Sequence, residues 1–300
     1  MAMMFLLVLS GAAIWGVVNV LRKYLFKKRN APVEVAVVAV MLGASVFSSL
    51  AQLAWFGVPH ISTAFWIPFA ATAVLNIIII YGQTKALKME DASIIEPLQG
   101  ITPIFVILTS WLMLREFPTP LGLLGILSVV LGVYVLNLKQ SDMKLPTGLH
   151  QWIGLLGKPW GRLFSSRGAR LALITVMLAS ISLNFDKMVV VSSSPMMRAS
   201  TVFLVVAATV YIISKIRGQW QKLDKGCFWP LFGIGLLIGL SNILMDWGFL
   251  YGIVPYVGSL KRFQIIVTTI LAGIFLHEGD MRFRITAAAI MFAGIVLIAL

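Results

Sequence analysis

Charged residues are scarce in this chain. Asp, Glu, Lys and Arg together make up 12% of its 300 residues, whereas 59% of the residues are hydrophobic. Soluble domains carry roughly 25% charged residues and less than about 50% apolar residues. The composition therefore excludes a soluble enzyme, a soluble nucleic-acid-binding domain and a disordered chain. It indicates a protein that is embedded in a membrane.

The chain has only one cysteine, and its three histidines do not cluster in the sequence. The one cysteine, Cys227, cannot form an internal disulfide or a thiolate metal site, and we interpret it as an inert thiol. His60, His150 and His277 fall in separate predicted loops, and the sequence contains no metalloprotease, P-loop or nucleophile-elbow motif. We therefore predict that the chain is not an enzyme and that it needs no cofactor and no metal ion.

Acidic residues are few compared with basic ones. The chain has 11 Asp and Glu residues against 24 Lys and Arg residues, which gives a formal net charge of +13. In a soluble protein this excess would indicate a nucleic-acid partner. In a membrane protein it reports orientation instead, because cytoplasmic loops carry the excess of positive charge. We therefore expect no nucleic-acid partner.

Long apolar runs are abundant. Ten stretches each hold about 20 largely apolar residues, which is enough to cross the hydrocarbon core as a helix. They are residues 3–22, 33–56, 64–84, 92–113, 121–138, 171–191, 199–215, 229–249, 256–276 and 285–300. Only helices and closed barrels satisfy every backbone polar group in lipid, and runs of this length indicate helices. The predicted fold is an all-α polytopic membrane protein with ten transmembrane helices.

An internal repeat divides these spans into two sets of five. A shift of 162 residues superimposes four identical pairs without a gap. The pairs are Leu98 and Leu260, Leu114 and Leu276, Glu116 and Glu278, and Gly132 and Gly294. Two copies of an odd number of spans must insert with opposite orientations, an architecture common among secondary transporters. The sequence therefore predicts one five-helix repeat over residues 1–138 and a second, inverted repeat over residues 171–300.

The segment between the two repeats, residues 139–170, is basic and contains Trp152 and Trp160 among leucines. Tryptophan and arginine are both favourable in the headgroup layer, so this linker can lie on the membrane surface against anionic lipid headgroups. A solvated linker explains its composition equally well. Both interpretations stay open.

The Lys and Arg residues outside the spans, or at their ends, are distributed very unequally between the two faces. The face that follows the odd-numbered spans collects 19 of them, and the other face collects only Arg115 and Arg198. By the positive-inside rule, the face with 19 is cytoplasmic. We therefore predict that both termini lie outside, most simply in a bacterial inner membrane.

Several short motifs resemble the drug/metabolite transporter superfamily, in its ten-helix EamA-like branch. They are Trp15-Gly16 with Asn19 in the first span, Pro103 in the fourth, Leu-Arg-Glu at 114–116 and Leu-His-Glu at 276–278. The resemblance covers essentially the whole chain and implies a ten-helix transporter of small solutes. It also implies cytoplasmic termini, which is the reverse of the orientation that the loop charges predict.

Lys261 and Arg262 in the ninth span resemble the Lys-Arg pair of triose-phosphate and nucleotide-sugar transporters in the same superfamily. In those proteins the pair binds the phosphate group of the substrate. The resemblance therefore implies that Lys261 and Arg262 bind an anionic group here.

Six ionisable residues fall inside the predicted spans. They are Glu96, Asp186, Lys187, Asp246, Lys261 and Arg262. A charge near the bilayer centre costs at least about 2.5–3.5 kcal/mol, so such residues are candidates for function. The alternative interpretation is that these charges pair to hold helices together, or extend to the membrane surface with no part in binding.

We divide the candidate site residues by role. The predicted substrate-binding residues are Lys261, Arg262, Asn19, Asn184 and Lys187. The predicted coupling or gating residues are Asp186, Asp246, Glu96, Arg22 and Lys23, in two charged gates near opposite surfaces. Polar residues also line single helix faces, such as Ser45, Ser49 and Gln52, and these either border a central cavity or join helices in lipid.

These observations favour a secondary active transporter of a small polar, anionic metabolite, working by alternating access as a proton-coupled carrier or an exchanger, and present as a monomer or homodimer. The alternative is a flippase for a lipid-linked phosphate headgroup. A membrane-embedded enzyme and a small structural subunit are disfavoured, by the missing catalytic cluster and by the polar helix faces respectively.

Overall fold

The computed structural model describes residues 2–29, 33–58, 61–89, 98, 100–137, 166–218, 220, 225–276 and 281–300. Within these residues the chain forms eleven α-helices and one short 3₁₀ turn, and no strand. The helices are α1 (Ala2–Arg29), α2 (Val33–Phe56), α3 (Trp66–Met89), α4 (Thr102–Leu114), α5 (Pro120–Asn137), α6 (Arg167–Ser192), α7 (Pro195–Ile216), α8 (Lys225–Tyr251), α9 (Val254–Leu260), α10 (Phe263–Leu276) and α11 (Met281–Ala299).

The predicted fold class is confirmed. Helices α1, α2, α3, α6, α7 and α8 are long and apolar enough to span a membrane, and α4, α5 and α11 are shorter apolar helices. Each of the ten predicted spans overlaps at least one α-helix of the structure, and the ninth overlaps both α9 and α10. The chain is an all-α, polytopic membrane protein.

The fourth and ninth predicted spans are not continuous helices. Pro103 was expected inside the fourth span, but it lies in the first turn of α4, whose N-cap is Ile101. The ninth span is divided at Lys261 and Arg262, which form a turn between α9 and α10. Proline lacks an N–H and fits the first turn of a helix better than its interior, which explains the position of α4.

Both interruptions are tightened turns with i→i−3 hydrogen bonds. The N–H of Ile104 donates to the carbonyl of Ile101 at 3.0 Å, and the N–H of Arg262 donates to the carbonyl of Ser259 at 3.0 Å. The shift of 162 residues that superimposes Leu98 on Leu260 places Ile101 at position 263, one residue beyond the turn at Lys261 and Arg262. A 3₁₀ turn within a helix often marks a functional hinge.

The chain forms two compact units. Unit 1 contains residues Met1–Ile77 and Phe185–Gly252, and unit 2 contains Ile78–Asn184 and Ile253–Leu300. Each unit therefore takes helices from both predicted repeats, and α3 and α6 each contribute to both units. The units are a different division of the chain from the repeats at 1–138 and 171–300, which remain a prediction.

Glycines allow the closest helix contact in unit 1, where α2 crosses α8. A Cβ atom on Gly235 would meet the backbone carbonyl of Val40, and one on Gly43 would meet the carbonyl of Phe232. Buried side chains of α1, α2, α7 and α8, including Val18, Leu231 and Ile238, complete this core. Small residues at such a crossing replace the hydrophobic driving force that is missing between helices in lipid.

In unit 2, helices α5 and α11 cross antiparallel in a way that reflects the repeat. A Cβ atom on Gly125 would lie 2.6 Å from the carbonyl oxygen of Gly294, and one on Gly132 would lie 2.9 Å from that of Ala287. A forward shift of 162 residues takes Gly125 to Ala287, and a backward shift of 162 takes Gly294 to Gly132. The first contacting pair thus becomes the second. This exchange is what an inverted repeat requires.

Candidate functional site

Three charged side chains meet inside unit 1, and we call them the carboxylate–arginine cluster: Asp186 on α6, Arg198 on α7 and Asp246 on α8. Arg198 Nε donates to Asp246 Oδ2 at 2.5 Å, and Arg198 Nη2 contacts the same oxygen. Arg198 Nη1 lies 3.2 Å from Asp186 Oδ1. One guanidinium therefore contacts two carboxylates on different helices.

The start of α7 places Arg198 in this cluster. Ser194 is the N-cap and its hydroxyl accepts from the N–H of Met197, while Pro195 occupies the first turn. Arg198 follows one turn later and is 5% exposed, compared with 8% for Asp186 and 0% for Asp246. Desolvating each charge costs several kcal/mol, which only close pairing and further hydrogen bonds offset.

Uncharged polar groups surround the cluster. Thr72 Oγ1 on α3 donates to Asp186 Oδ1 at 2.7 Å, and Asn76 Nδ2 donates to Thr72 Oγ1 at 3.1 Å. On α8, Asn242 Oδ1 accepts from Arg198 Nη2 at 3.4 Å. The cluster thus joins α3, α6, α7 and α8 through hydrogen bonds to charged groups, which are stronger than neutral ones.

The sequence prediction for Arg198 was wrong. It was counted with the loop charges, but it is buried between two of the predicted gating residues. Asp186 and Asp246 both contact the same guanidinium, and their predicted role in coupling or gating stays a prediction. Glu96 lies outside the described residues, and for Lys23 only the backbone of α1 is described.

The other predicted residues of unit 1 lie near helix ends or partly buried on α1. Lys187 Nζ donates to the carbonyl of Gly252 at 2.8 Å, at the end of α8. Asn19 and Arg22 are partly buried on α1, which continues to Arg29 rather than ending near residue 22. Their predicted roles in binding and gating remain predictions.

A cavity of about 380 Å³ lies close to the cluster in unit 1, and we call it the Trp247 cavity. Its polar lining includes Gln52, Ser193 and Ser194, and its apolar lining includes Phe56, Trp247 and Leu250. Trp247 and Leu250 follow Asp246 on α8, and Ser194 precedes Arg198 by one turn. The cavity therefore lies about one helical turn from the charged residues.

The polar face of α2 serves mainly in helix packing. Ser45 Oγ donates to the carbonyl of Ser200 at 2.9 Å, and the hydroxyls of Ser49 and Ser200 are 2.6 Å apart. Ser194 Oγ donates to Gln52 Oε1 at 2.5 Å. These bonds join α2 to α7, so the helix-joining interpretation applies to this face, although Gln52 also borders the Trp247 cavity.

In unit 2, Asn184 is fully buried on α6. Its Nδ2 donates to Thr109 Oγ1 at 3.0 Å and to the carbonyl of Ser180 at 2.8 Å. Its Oδ1 has no hydrogen-bond partner among the described residues. A buried acceptor without a partner costs about 1–3 kcal/mol, so this oxygen is suited to a donor group from a bound molecule or water.

Lys261 and Arg262, also in unit 2, form the turn between α9 and α10 and are partly buried. The start of α9 is held by the loop after α4. Glu116 Oε2 accepts from the N–H of Val254 at 2.8 Å, and Tyr256 Oη accepts from the N–H of Thr119 at 2.9 Å. The carboxylate of the Leu-Arg-Glu motif therefore caps the half-helix that leads to the Lys-Arg pair.

The first part of the chain matches a known family. The model of the EamA-like transporter family matches residues 2–138, which is the first predicted repeat. Residues 2–138 of this chain are therefore similar to the EamA-like transporter family. This confirms the resemblance found in the sequence motifs, and it identifies a multi-pass membrane protein of a family that transports small solutes.

A likeness to a solved structure covers the second part of the EamA-like chain as well. A crystal structure described only as that of a protein superimposes with a TM-score of 0.75 and 15% sequence identity, covering 98% of this chain and 95% of its own. At this identity the likeness shows the fold alone. No curated protein matches the chain.

Proposed function

We propose that this EamA-like chain is a secondary active transporter that moves a small anionic metabolite across a bacterial inner membrane by alternating access, as a proton-coupled carrier or an exchanger. The family supports transport of a small solute. The observation that carries the anionic substrate is the turn between α9 and α10, where two partly buried cations stand side by side.

The position of this pair favours an anion for two reasons. Lys261 and Arg262 immediately precede the first turn of α10, and the N-terminus of a helix carries a partial positive charge. Transporters commonly bind anionic substrate groups at the N-termini of discontinuous helices near the middle of the membrane. Two cationic side chains and the positive end of a helix are therefore combined at one point of the chain.

Asn184 supports a polar substrate. The helices α9 and α6 are in close contact, because a Cβ atom on Gly258 would lie 2.9 Å from Cδ2 of Leu183. Gly258 precedes Lys261 by one turn, and Leu183 is next to Asn184. The free acceptor of Asn184 and the cationic turn are thus on neighbouring helices of unit 2, as a substrate with an acid group and a hydroxyl would require.

The test is solute counterflow in proteoliposomes with phosphorylated metabolites, amino acids and amines. We expect phosphorylated or carboxylated solutes to exchange, and both Lys261→Gln and Arg262→Gln to lower that exchange at least tenfold. Arg170→Gln, which removes an exposed cation in the first turn of α6, should leave exchange unchanged.

Two outcomes would contradict the proposal. Exchange of amines in preference to anions would contradict an anionic substrate. Equal exchange by all variants would contradict a role of Lys261 and Arg262 in binding. Scrambling of a lipid-linked phosphate between leaflets, without counterflow of any soluble solute, would instead establish the flippase.

A further inference from the structure

The two carboxylates of the carboxylate–arginine cluster have different surroundings. The difference decides which of them can bind a proton for coupled transport. Two Asp residues share one Arg, so the ionised cluster carries one surplus negative charge. Isolating a negative charge in a low-dielectric interior is costly, and a buried carboxylate avoids the cost by binding a proton. One of the two carboxylates is therefore suited to hold a proton.

Asp246 is the carboxylate that pairs most closely with Arg198. It is fully buried, and its Oδ2 is contacted by both Nε and Nη2 of the guanidinium. Hydrogen bonds from a cation favour the ionised form of a carboxylate. Placing a proton on Asp246 would also leave Arg198 without its closest partner.

Asp186 has the opposite features. Its side chain is 11% exposed, and its contact with Arg198 is longer, at 3.2 Å. Arg198 forms its ion pair with Oδ1 and Thr72 donates to Oδ1, and no described residue forms a hydrogen bond or ion pair with Oδ2. A proton can therefore bind at Oδ2 while Thr72 continues to donate to Oδ1.

Other charged residues lie on the same helices as the cluster. On the helices around the cluster, Lys187 directs its Nζ to the carbonyl of Gly252 at 2.8 Å, and α3 contributes the uncharged Thr72 and Asn76. The charged residues of α1 and α2 lie towards the ends that face the predicted cytoplasm. The remaining charged residues of α7 and α8, Lys215 and Lys225, lie at those same ends.

The Trp247 cavity lies close to Asp186 along α6. Val190 lines the cavity and lies four residues beyond Asp186 on α6, which is about 6 Å at a helical rise of 1.5 Å per residue. Gln52, Ser193 and Ser194 give the cavity the polar groups that ordered water needs. The cavity is near the C-terminal ends of α2, α6 and α8, so it lies in the predicted outer half of the membrane.

We propose that Asp186 is the proton-binding carboxylate of this transporter, that Asp246 stays ionised as the counterion of Arg198, and that water in the Trp247 cavity delivers the proton. A hydronium ion transfers its proton to Oδ2 of Asp186 and leaves as water, and the charge of the cluster changes from −1 to zero. The proposal deepens the proposed function by choosing proton coupling over exchange alone.

Protonation weakens the ion pair between Asp186 and Arg198 and so loosens α6 from α7. Asp186 lies at the point where α6 passes from unit 2 into unit 1, since Phe185 is the first residue of this segment of unit 1. A change in charge at this position therefore acts on a helix that belongs to both units. A transport cycle can use a change in charge on such a helix as a conformational switch.

The experiment is pH-dependent infrared difference spectroscopy of the full-length protein in liposomes, without substrate. The wild type should show a titrating band of a protonated carboxyl group. Asp186→Asn should lose this band, Asp186→Glu should restore it at a shifted frequency, and Glu116→Gln, a carboxylate of unit 2, should keep it. Asp246→Asn, checked by thermal unfolding for its fold, removes the surplus negative charge and leaves Asp186 as the counterion of Arg198, so the band should weaken or disappear there without a shift in frequency.

Absence of the band in the wild type, or its persistence in Asp186→Asn, would overturn the proposal. Counterflow distinguishes it from the proposed function. Asp186→Asn should retain exchange of the solute found above and lose accumulation driven by a pH gradient. If anion exchange works but Asp186 does not titrate, only the proton site is wrong; if Asp186 titrates but no anion exchanges, only the substrate is wrong.

Discussion

Arg198 shows how far single residues can be assigned from this sequence. The two carboxylates of the cluster were predictable, because an Asp inside an apolar span is rarely placed there without a function. Their partner was not, because Arg198 lies just before the seventh predicted span, beside Pro195, where a loop charge is equally plausible. Only the cap at Ser194 shows that the helix starts earlier and that Arg198 already lies within it.

Replacing Arg198 should destabilise the protein strongly. Arg198→Met leaves Asp246 and Asp186 buried without a cation, and breaking a buried ion pair from one side costs about 3–5 kcal/mol. We expect a large drop in the midpoint of thermal unfolding in detergent. The control is Arg217→Met, because Arg217 is exposed at the other end of α7 and its replacement should have little effect.

The same reasoning predicts a rescue. Combining Arg198→Met with Asp246→Leu and Asp186→Asn removes all three charges, and apolar groups of similar volume often replace a buried ion pair without loss of stability. The midpoint should return towards the wild-type value. A triple variant as unstable as Arg198→Met alone would show that the helix start, rather than the charge, is what Arg198 supports.

At the scale of helices, the sequence specifies spans well and crossings poorly. Apolar runs predicted ten spans, and each overlaps an observed helix, since length and hydropathy are local properties. The division of the ninth span at Lys261 was not visible in hydropathy, because a tightened turn changes the hydrogen bonds rather than the side chains. Gly235 and Gly233 also look alike in the sequence, yet only Gly235 meets the backbone of another helix.

These two glycines of α8 form a matched pair for a stability measurement. A Cβ atom on Gly235 would meet the backbone of Val40, whereas one on Gly233 has nothing within 4 Å. Gly235→Ala should therefore lower the free energy of unfolding by about 1–3 kcal/mol, as overpacking does. Gly233→Ala should leave it unchanged or raise it by up to about 1 kcal/mol, because alanine favours the helix. Equal effects of both substitutions on thermal unfolding would contradict the close crossing of α2 and α8.

For the whole molecule, the sequence supplies two signals: the repeat, which predicts two five-helix halves, and the unequal distribution of basic residues, which predicts the orientation in the membrane. The antiparallel crossing of α5 and α11 through Gly125 and Gly294 was not predicted from the sequence, although it is compatible with the shift of 162 residues. The repeat did not predict the two compact units either, because they combine helices from both repeats and depend on contacts distant in sequence. Moving Arg198 into the helix bundle makes the loop charges more unequal, with Arg115 alone opposing 19 basic residues on the other face.

This asymmetry argues for one orientation in the membrane, and single cysteines can test it. In a Cys227→Ser background, Val58→Cys and Ile216→Cys place thiols at the ends of α2 and α7, on opposite predicted faces. The two positions are matched in exposure, at 86% and 80%. Because about 20 basic residues would have to cross the membrane in the reverse orientation, the positive-inside rule places Ile216 in the cytoplasm. A membrane-impermeant maleimide applied to intact cells should therefore label Val58→Cys and label Ile216→Cys only after the cells are permeabilised. Labelling of Ile216→Cys alone would show the orientation with cytoplasmic termini that the family resemblance implies, and would place the Trp247 cavity and its proton supply on the cytoplasmic side.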